Sequence, residues 1–262
     1  MHIRVLGCHG ADQLADKAAG PHRCESCAFL IDGTVLLDAG TVGPRLTLAE
    51  QQRLRVVLLS HLHFDHIKSL PTLADNLSET IEEPLIVAAP APVICGLQEH
   101  IFNDHVYPNF FALPERQRPV LKPLVLEIGK SVTINHLEVI PIAVNHTVPT
   151  VGYLIKDEHG TLLYSGDTYK TDEIWAHARM IPNLKAAFIE ASFPNAMRNL
   201  AELSKHLTPR LLADEWAKLH REQVPVYAYH LKPPYREQIA LELKSLMIPN
   251  LSVLEEGQEL TF

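Results

Sequence analysis

Basic charge is scarce in this chain. Its 262 residues carry 23 lysines and arginines against 31 aspartates and glutamates, a formal net charge of −8. A general binder of nucleic acid or of anionic membrane needs a basic face. The composition therefore argues against long nucleic acid and against membrane as partners, and leaves room for a small anionic substrate held by local charge or by metal. Long apolar runs are lacking too. The longest uncharged one, Pro84 to Leu97, is too short and too broken by proline to span a bilayer. The opening residues MHIRVLGCHG lack the basic and then apolar segments of a signal peptide. Cysteine is sparse and irregularly placed, at Cys8, Cys24, Cys27 and Cys95, which excludes a disulfide framework. These absences together lead us to expect a cytoplasmic protein. Low-complexity segments and short-period repeats are absent as well.

What is present is enough apolar residue for a full core, 47% of the chain, and a globular pattern of elements. Short β-type runs come first, at His2–Leu6, Ala28–Ile31 and Thr34–Leu37, with Asp32-Gly33 supplying a hairpin turn. A helix is expected over Leu46–Leu54, a buried strand at Val56–Leu59, a helix at Leu70–Leu77, a strand at Leu85–Ala88 and a helix at Pro92–Phe102. Residues 103–123, rich in proline, asparagine and aromatics, are expected to form one long irregular loop. A second β-rich block covers Val132–Ile134, Leu137–Ala143, Val151–Ile155 and Thr161–Tyr164. Helices at Thr171–Met180, Pro209–Arg221 and Pro234–Leu246 then alternate with strands at Ala187–Glu190, Val226–Ala228 and Leu251–Leu254. Thr208 before Pro209 is a good helix N-cap. The pattern is mixed α/β in one compact domain, residues 1–262. Two sheets face to face and a single open sheet both fit it.

Histidine is abundant, 15 residues, and its placement carries the chemistry. In VVLLSHLHFDH, an apolar strand ends in His61, His63, Asp65 and His66. Two histidines one residue apart at a strand end converge on one metal, and the following Asp65 and His66 turn towards a second. Imidazole and carboxylate bind zinc-like ions at about 2.0–2.2 Å. The bland alternative, a solvated polar loop, fits a lone histidine better than this cluster. Further ligands must come from later in the chain. His146, Asp167 and His230 are metal-capable side chains placed where apolar strands meet loops, the usual address of catalytic groups.

The motifs SHLHFDH, NHTVPT, SGDT and YHLKP, in this order, resemble those of the metallo-β-lactamase superfamily, and the likeness runs from VLLDAGT to YHLKP. The resemblance implies an αββα sandwich of two mixed β-sheets packed face to face with helices outside. It implies two divalent metal ions, zinc foremost and manganese or iron as alternatives. His61, His63 and His146 would hold the first and Asp65, His66 and His230 the second, with Asp167 bridging.

HIKSLPTLADN, FIEASFPN and SKHLTPRLL are similar to stretches of the bacterial class II cyclic-nucleotide phosphodiesterases. By that likeness Glu190 orients His206, His206 acts as general acid, and Asp65 belongs to the catalytic set. The chain departs from the family pattern at Phe64, where leucine is usual, at Pro71 and Thr72, and at Ala74 and Asp75. The implied activity is hydrolysis of a 3′,5′-cyclic nucleotide such as cAMP to the 5′-monophosphate, by a hydroxide bridging the two metals. The alternatives are another hydrolase of the same fold, such as a tRNase Z-like RNA 3′-end nuclease, and a non-catalytic metal-dependent nucleotide-binding protein.

Three other features stay open between two readings. Cys24-Glu25-Ser26-Cys27 is either a metal or redox pair or two buried structural thiols. The aromatics Phe102, Tyr107, Phe110 and Phe111 form either a wall for a nucleobase or core and homodimer packing. Lys232 either meets a phosphate or is solvated, and Lys68 is expected at the surface.

Overall fold

A computed structural model describes residues 1–15 and 22–262. Two seven-stranded mixed sheets stack face to face. The first runs, in spatial order, Leu121–Leu126, Leu85–Pro90, Val56–Leu58, Val35–Leu37, Ala28–Ile31, His2–Gly7 and Glu259–Thr261. Its first four strands are parallel and the rest antiparallel. The second runs Val132–Ile134, Leu137–Ala143, Val151–Lys156, Thr161–Tyr164, Leu184–Glu190, Val226–Tyr229 and Leu251–Val253. It is antiparallel up to Thr161–Tyr164 and parallel beyond.

The continuous apolar runs are explained by burial on both faces. In Val56–Leu59, Val56 and Leu58 point into the space between the sheets, while Val57 and Leu59 point outward under helices. In Ala28–Ile31, Phe29 and Ile31 face inward and Ala28 and Leu30 outward, as the two-residue strand period requires. The outer layer of the first sheet is formed by Leu70–Leu77 and Ala91–Gly96, that of the second by Glu173–Met180, Pro209–Ala217 and Arg236–Ser245. This is the αββα sandwich.

Phe29 is the hub between the sheets. Its ring centroid lies 5.8 Å from Tyr164, 5.4 Å from Phe188 and 5.7 Å from Tyr229, all three on the opposite sheet. The Asp32-Gly33 turn forms as expected, both residues having positive φ, 47° and 69°, and Ile31 pairs with Val35 across it.

Several elements differ from the sequence expectations. The first helix is one turn, Leu48–Gln51, because Thr47 and Glu50 close a capping box at its start. The Pro92–Phe102 helix starts at Ala91 and widens to π-type turns over Leu97–Ile101. Residues 103–123 are not one irregular loop. They contain a short ribbon, Pro114–Glu115 with Arg118–Pro119, and the start of the edge strand Leu121–Leu126. Pro123 masks that strand in the sequence, yet an edge strand tolerates a proline whose missing N–H faces away from the ladder. Of the two readings for the aromatics, the structure takes the core: Phe102 and Phe110 are buried, and Tyr107 and Phe111 pack against the same cluster. The helix Arg198–Ser204 and the strand Glu259–Thr261 were not expected. Among the described residues, no helix is long and apolar enough to cross a membrane.

Replacing Phe29 by alanine empties the seat against three rings of the other sheet. We expect the unfolding free energy to fall by about 3–5 kcal/mol, read as a lower urea midpoint at unchanged slope. A loss below about 1 kcal/mol would show that the sheets do not depend on this contact.

Candidate metal centre

The seven candidate ligands meet at one end of the sandwich, where strands of both sheets run out into loops. His61 follows Val56–Leu58, and His63, Asp65 and His66 wrap into the short helix Phe64–Ile67. His146 follows Leu137–Ala143, Asp167 follows Thr161–Tyr164 and His230 follows Val226–Tyr229. Donor atoms of His61, His63, His146 and Asp167 all lie within 4.8 Å of one another. On the other side of the same carboxylate, Asp167 Oδ2 is 3.4 Å from His66 Nε2 and 3.2 Å from His230 Nε2, and Asp65 Oδ2 is 3.3 Å from His230 Nε2. Asp167 thus stands between two groups of donors.

Each of four histidines is anchored through one nitrogen. His61 Nδ1 donates to Ser60 Oγ at 2.9 Å, because that hydroxyl gives its own proton to Asp38 at 2.8 Å. His66 Nδ1 donates to Asp38 Oδ2 at 2.7 Å and His146 Nδ1 to the Lys205 carbonyl at 3.0 Å. His230 Nδ1 donates to Ser192 Oγ at 2.8 Å, whose proton goes to Glu190. In His61, His66 and His230 the second nitrogen, Nε2, is left without a partner and aimed at the common space, and His146 Nε2 meets His63 Nδ1 at 3.1 Å. Such anchoring fixes tautomer and ring orientation in metal-binding histidines.

The space is built for a cation. His61 Nε2, His66 Nε2, His230 Nε2 and Asp167 Oδ1 are buried without a hydrogen-bond partner, each a cost of about 1–3 kcal/mol if left so. Their convergence, with donors of imidazole and carboxylate type, fits divalent metal. Charge states agree for His61, His63, His146, His230 and the two carboxylates, while His66 runs the other way under its two aspartates. Burial, reinforced by the neighbouring His66, holds His61 well below the usual imidazole range. Burial and His146 bring His63 down to about 4. Burial likewise lowers His146 and His230. Burial alone would raise Asp167, but His230 and His66 overcome it and hold the carboxylate well below its ordinary value. Asp65 is lowered in the same way, against burial, by the imidazoles of His230 and His66 beside it. His66 moves up despite burial, under Asp167 and Asp38.

Glu190 and His206 sit beside these donors. Glu190 is fully buried, which removes the alternative of a solvated strand-end carboxylate. Its Oε1 accepts His206 Nδ1–H at 2.7 Å and the Thr168 N–H at 3.1 Å. The His206 ring lies 5.0 Å from that of His146 and 5.2 Å from that of His230, centroid to centroid. Burial pushes His206 down, and the Glu190 charge and hydrogen bond more than reverse this, so it stands above the usual range.

Lys232 is half-buried and tied down: its ammonium donates to the Gly10 carbonyl at 2.7 Å and lies 3.8 Å from Asp65 Oδ2. Lys68 pairs with Asp12. The two cysteines of the C-x-x-C diverge. Cys27 lies by His66 and His230 and Cys24 is not among that group, so they form no clip.

Sequence reasoning assigned no role to Asp38, Ser60, Ser192 or Tyr164. Asp38 accepts from Ser60 N–H, Ser60 Oγ, His66 Nδ1 and Tyr164 OH, at 2.7–2.8 Å. Its φ of 56° is a strained value for a residue other than glycine. The signal that could have found it is an aspartate closing an apolar strand, LLDAG. Two glycines make room. A Cβ on Gly40 would stand 2.2 Å from the Asp65 carbonyl oxygen, and one on Gly166, with φ of 60°, 2.6 Å from that of Val151.

A family model described as a β-lactamase superfamily domain matches residues 33–229. The 3′,5′-cyclic-nucleotide phosphodiesterase 1 of Saccharomyces cerevisiae is 28% identical over 187 residues, which cover 62% of this chain and 50% of that protein. The chain thus spans about half the length of this relative. A ribonuclease Z of Borreliella burgdorferi is 23% identical over 261 residues, covering 79% of this chain and 78% of that one. The crystal structure of unliganded yeast PDE1 superposes with a TM-score of 0.82 at 20% identity, over 100% of this chain and 99% of that one, a likeness of fold.

Replacing Asp38 by asparagine removes the acceptor that orients His61 and His66. Metal affinity in a chelator competition should drop about 10–100-fold with the far-ultraviolet circular dichroism unchanged. Unaltered affinity would mean that the ring orientations do not depend on this carboxylate.

Proposed function

This chain belongs to the metallo-β-lactamase superfamily, a fold of divalent-metal hydrolases, and on that premise we propose that it is a phosphodiesterase opening a 3′,5′-cyclic nucleotide of the cAMP kind to the 5′-monophosphate. The observation that carries the reading is the buried Glu190–His206 pair set against the ligand histidines. His61, His63 and His146 would hold one ion and Asp65, His66 and His230 a second, with Asp167 shared. When bound, such ions neutralise phosphoryl charge and make water nucleophilic near neutral pH.

The chain's own groups supply the rest. Breaking the P–O3′ bond leaves an alkoxide, a poor leaving group until it takes a proton. His206, kept cationic by Glu190, holds that proton on Nε2, since Nδ1–H is committed to the carboxylate. Glu190 is itself held by Thr168, Ser192 and Leu207, so the ring cannot turn away. Lys232, tied to Gly10 beside Asp65, places a cation where an anionic phosphodiester would approach. The net charge of −8 favours a small substrate over a polyanionic one.

A second reading, an RNA 3′-end nuclease, is favoured by the extent of the ribonuclease Z match, which covers nearly four-fifths of both chains. The two separate in one assay panel: 3′,5′-cyclic nucleotides, a tRNA precursor and a nitrophenyl phosphodiester, on metal-replete protein. We expect turnover of cAMP and of the nitrophenyl ester, and none of the tRNA precursor; cleavage of the precursor alone would replace the first reading by the second.

Chelation should abolish all turnover, and added divalent metal should restore it. His206→Ala should slow cAMP hydrolysis by about 10²–10⁴-fold and spare the nitrophenyl ester, whose leaving group needs no proton. Equal losses on both would take His206 out of the acid role.

A further inference from the structure

The chain has 8 phenylalanines, 2 tryptophans and 7 tyrosines. All lie among the described residues, and Phe64 is the only exposed one of them. Its side chain is 65% exposed and belongs to none of the three apolar clusters of the fold.

The place of this ring matters more than its exposure. Phe64 opens the helix Phe64–Ile67, and its chain neighbours are the candidate ligands His63 and Asp65, with Cα atoms about 3.8 Å away. The centre is closed on its inner side, where His61, His66, Asp167 and His230 are buried. It opens at His63, Asp65, His146 and Lys232, which are half-buried. Phe64 stands between two of these and so on the rim of the opening. Other rings near the centre are committed. Phe193, 8% exposed, packs against His206 at 5.8 Å and Tyr235 at 6.3 Å, centroid to centroid. Tyr169 is buried, with Lys205 Nζ 5.3 Å from its centroid. Phe102 and Phe110 are core.

A nucleotide presents two surfaces to such a mouth. Its phosphodiester suits the cations and Lys232. Its base needs a flat apolar face within one nucleotide's length, and an aromatic ring supplies one without reading the base edges. We propose that Phe64 is the specificity-determining residue of this site, stacking on the nucleobase while the phosphodiester sits at the centre. The inference rests on the nucleotide reading of the centre, and its first test needs no turnover. Every base has a π-face, so the contact selects nucleotides over base-free phosphodiesters. It favours purines, whose face is larger, over pyrimidines. The competing occupant of the ring is a second copy of the chain.

Phe64→Trp tests this by placing an indole on the rim. The difference in emission between variant and parent, excited at the red edge of the indole band, reports position 64, since Trp175 and Trp216 are common to both. On metal-replete protein, AMP should quench this emission and ribose 5-phosphate should not. AMP is not consumed, so a quench without any cAMP turnover would strike the catalytic reading and keep the base contact. No quench by AMP, or an equal quench by ribose 5-phosphate, overturns the proposal. Emission that shifts with protein concentration and ignores AMP overturns it too, and gives the ring to a second copy. In turnover, Phe64→Ala and Phe64→Leu should each cut the preference for cAMP over base-free ribose 3′,5′-cyclic phosphate by about 5–100-fold in kcat/KM, and Phe64→Tyr should keep it. A Phe64→Leu variant with the parent's preference would show that no stacking is involved.

Discussion

The carboxylate of Asp38 is the fixed point of this molecule. It is buried between the sheets and takes hydrogen bonds from Ser60 and His66 on one side and from Tyr164 on the other. Tyr164 belongs to the second sheet and Asp38 follows a strand of the first, so one side chain joins the two layers at the height of the ligand loops. A buried carboxylate with this many donors is stable only while all are present. That is why the strained backbone at Asp38 persists: four partners over-determine it.

From Asp38 the order spreads through protons. Its acceptance of the Ser60 proton leaves the serine oxygen free to receive His61 Nδ1–H, and with that the lone pair of His61 is assigned to Nε2. The same logic runs from Glu190 through Ser192 to His230. A third anchor is backbone: Lys205 ends the helix Arg198–Ser204 in the left-handed conformation, φ 58°, and its carbonyl meets His146. Two carboxylates and one helix end thus polarise four imidazoles in one direction.

Much of this was legible in the sequence. HLHFDH after VVLLS announced ligands, because three imidazoles at the end of a buried strand are costly without a cation. The strands with apolar residues on both faces were legible as continuous runs, and Val132–Ile134, Leu137–Ala143 and Thr161–Tyr164 have the expected bounds. The rest was hidden for physical reasons. Leu121–Leu126 is an edge strand with exposed positions at Lys122, Pro123 and Val125, which hides its period. Glu259–Thr261 is three residues long and exists only by pairing with His2–Arg4. Asp38, Ser60 and Ser192 are common polar residues whose roles come from partners 22, 28 or 38 positions away. The aromatics of 102–111 showed apolar surface, and only the packing showed which way it faced.

The pairing of His2–Gly7 with Glu259–Thr261 has a consequence during biosynthesis. Before residue 259 has left the ribosome, one rim of the first sheet stays open, its backbone donors and acceptors available to any neighbouring chain. Contacts of such sequence separation form slowly, because loop closure must come first. Nascent chains are therefore exposed to mispairing along that rim until the strand Glu259–Thr261 has emerged.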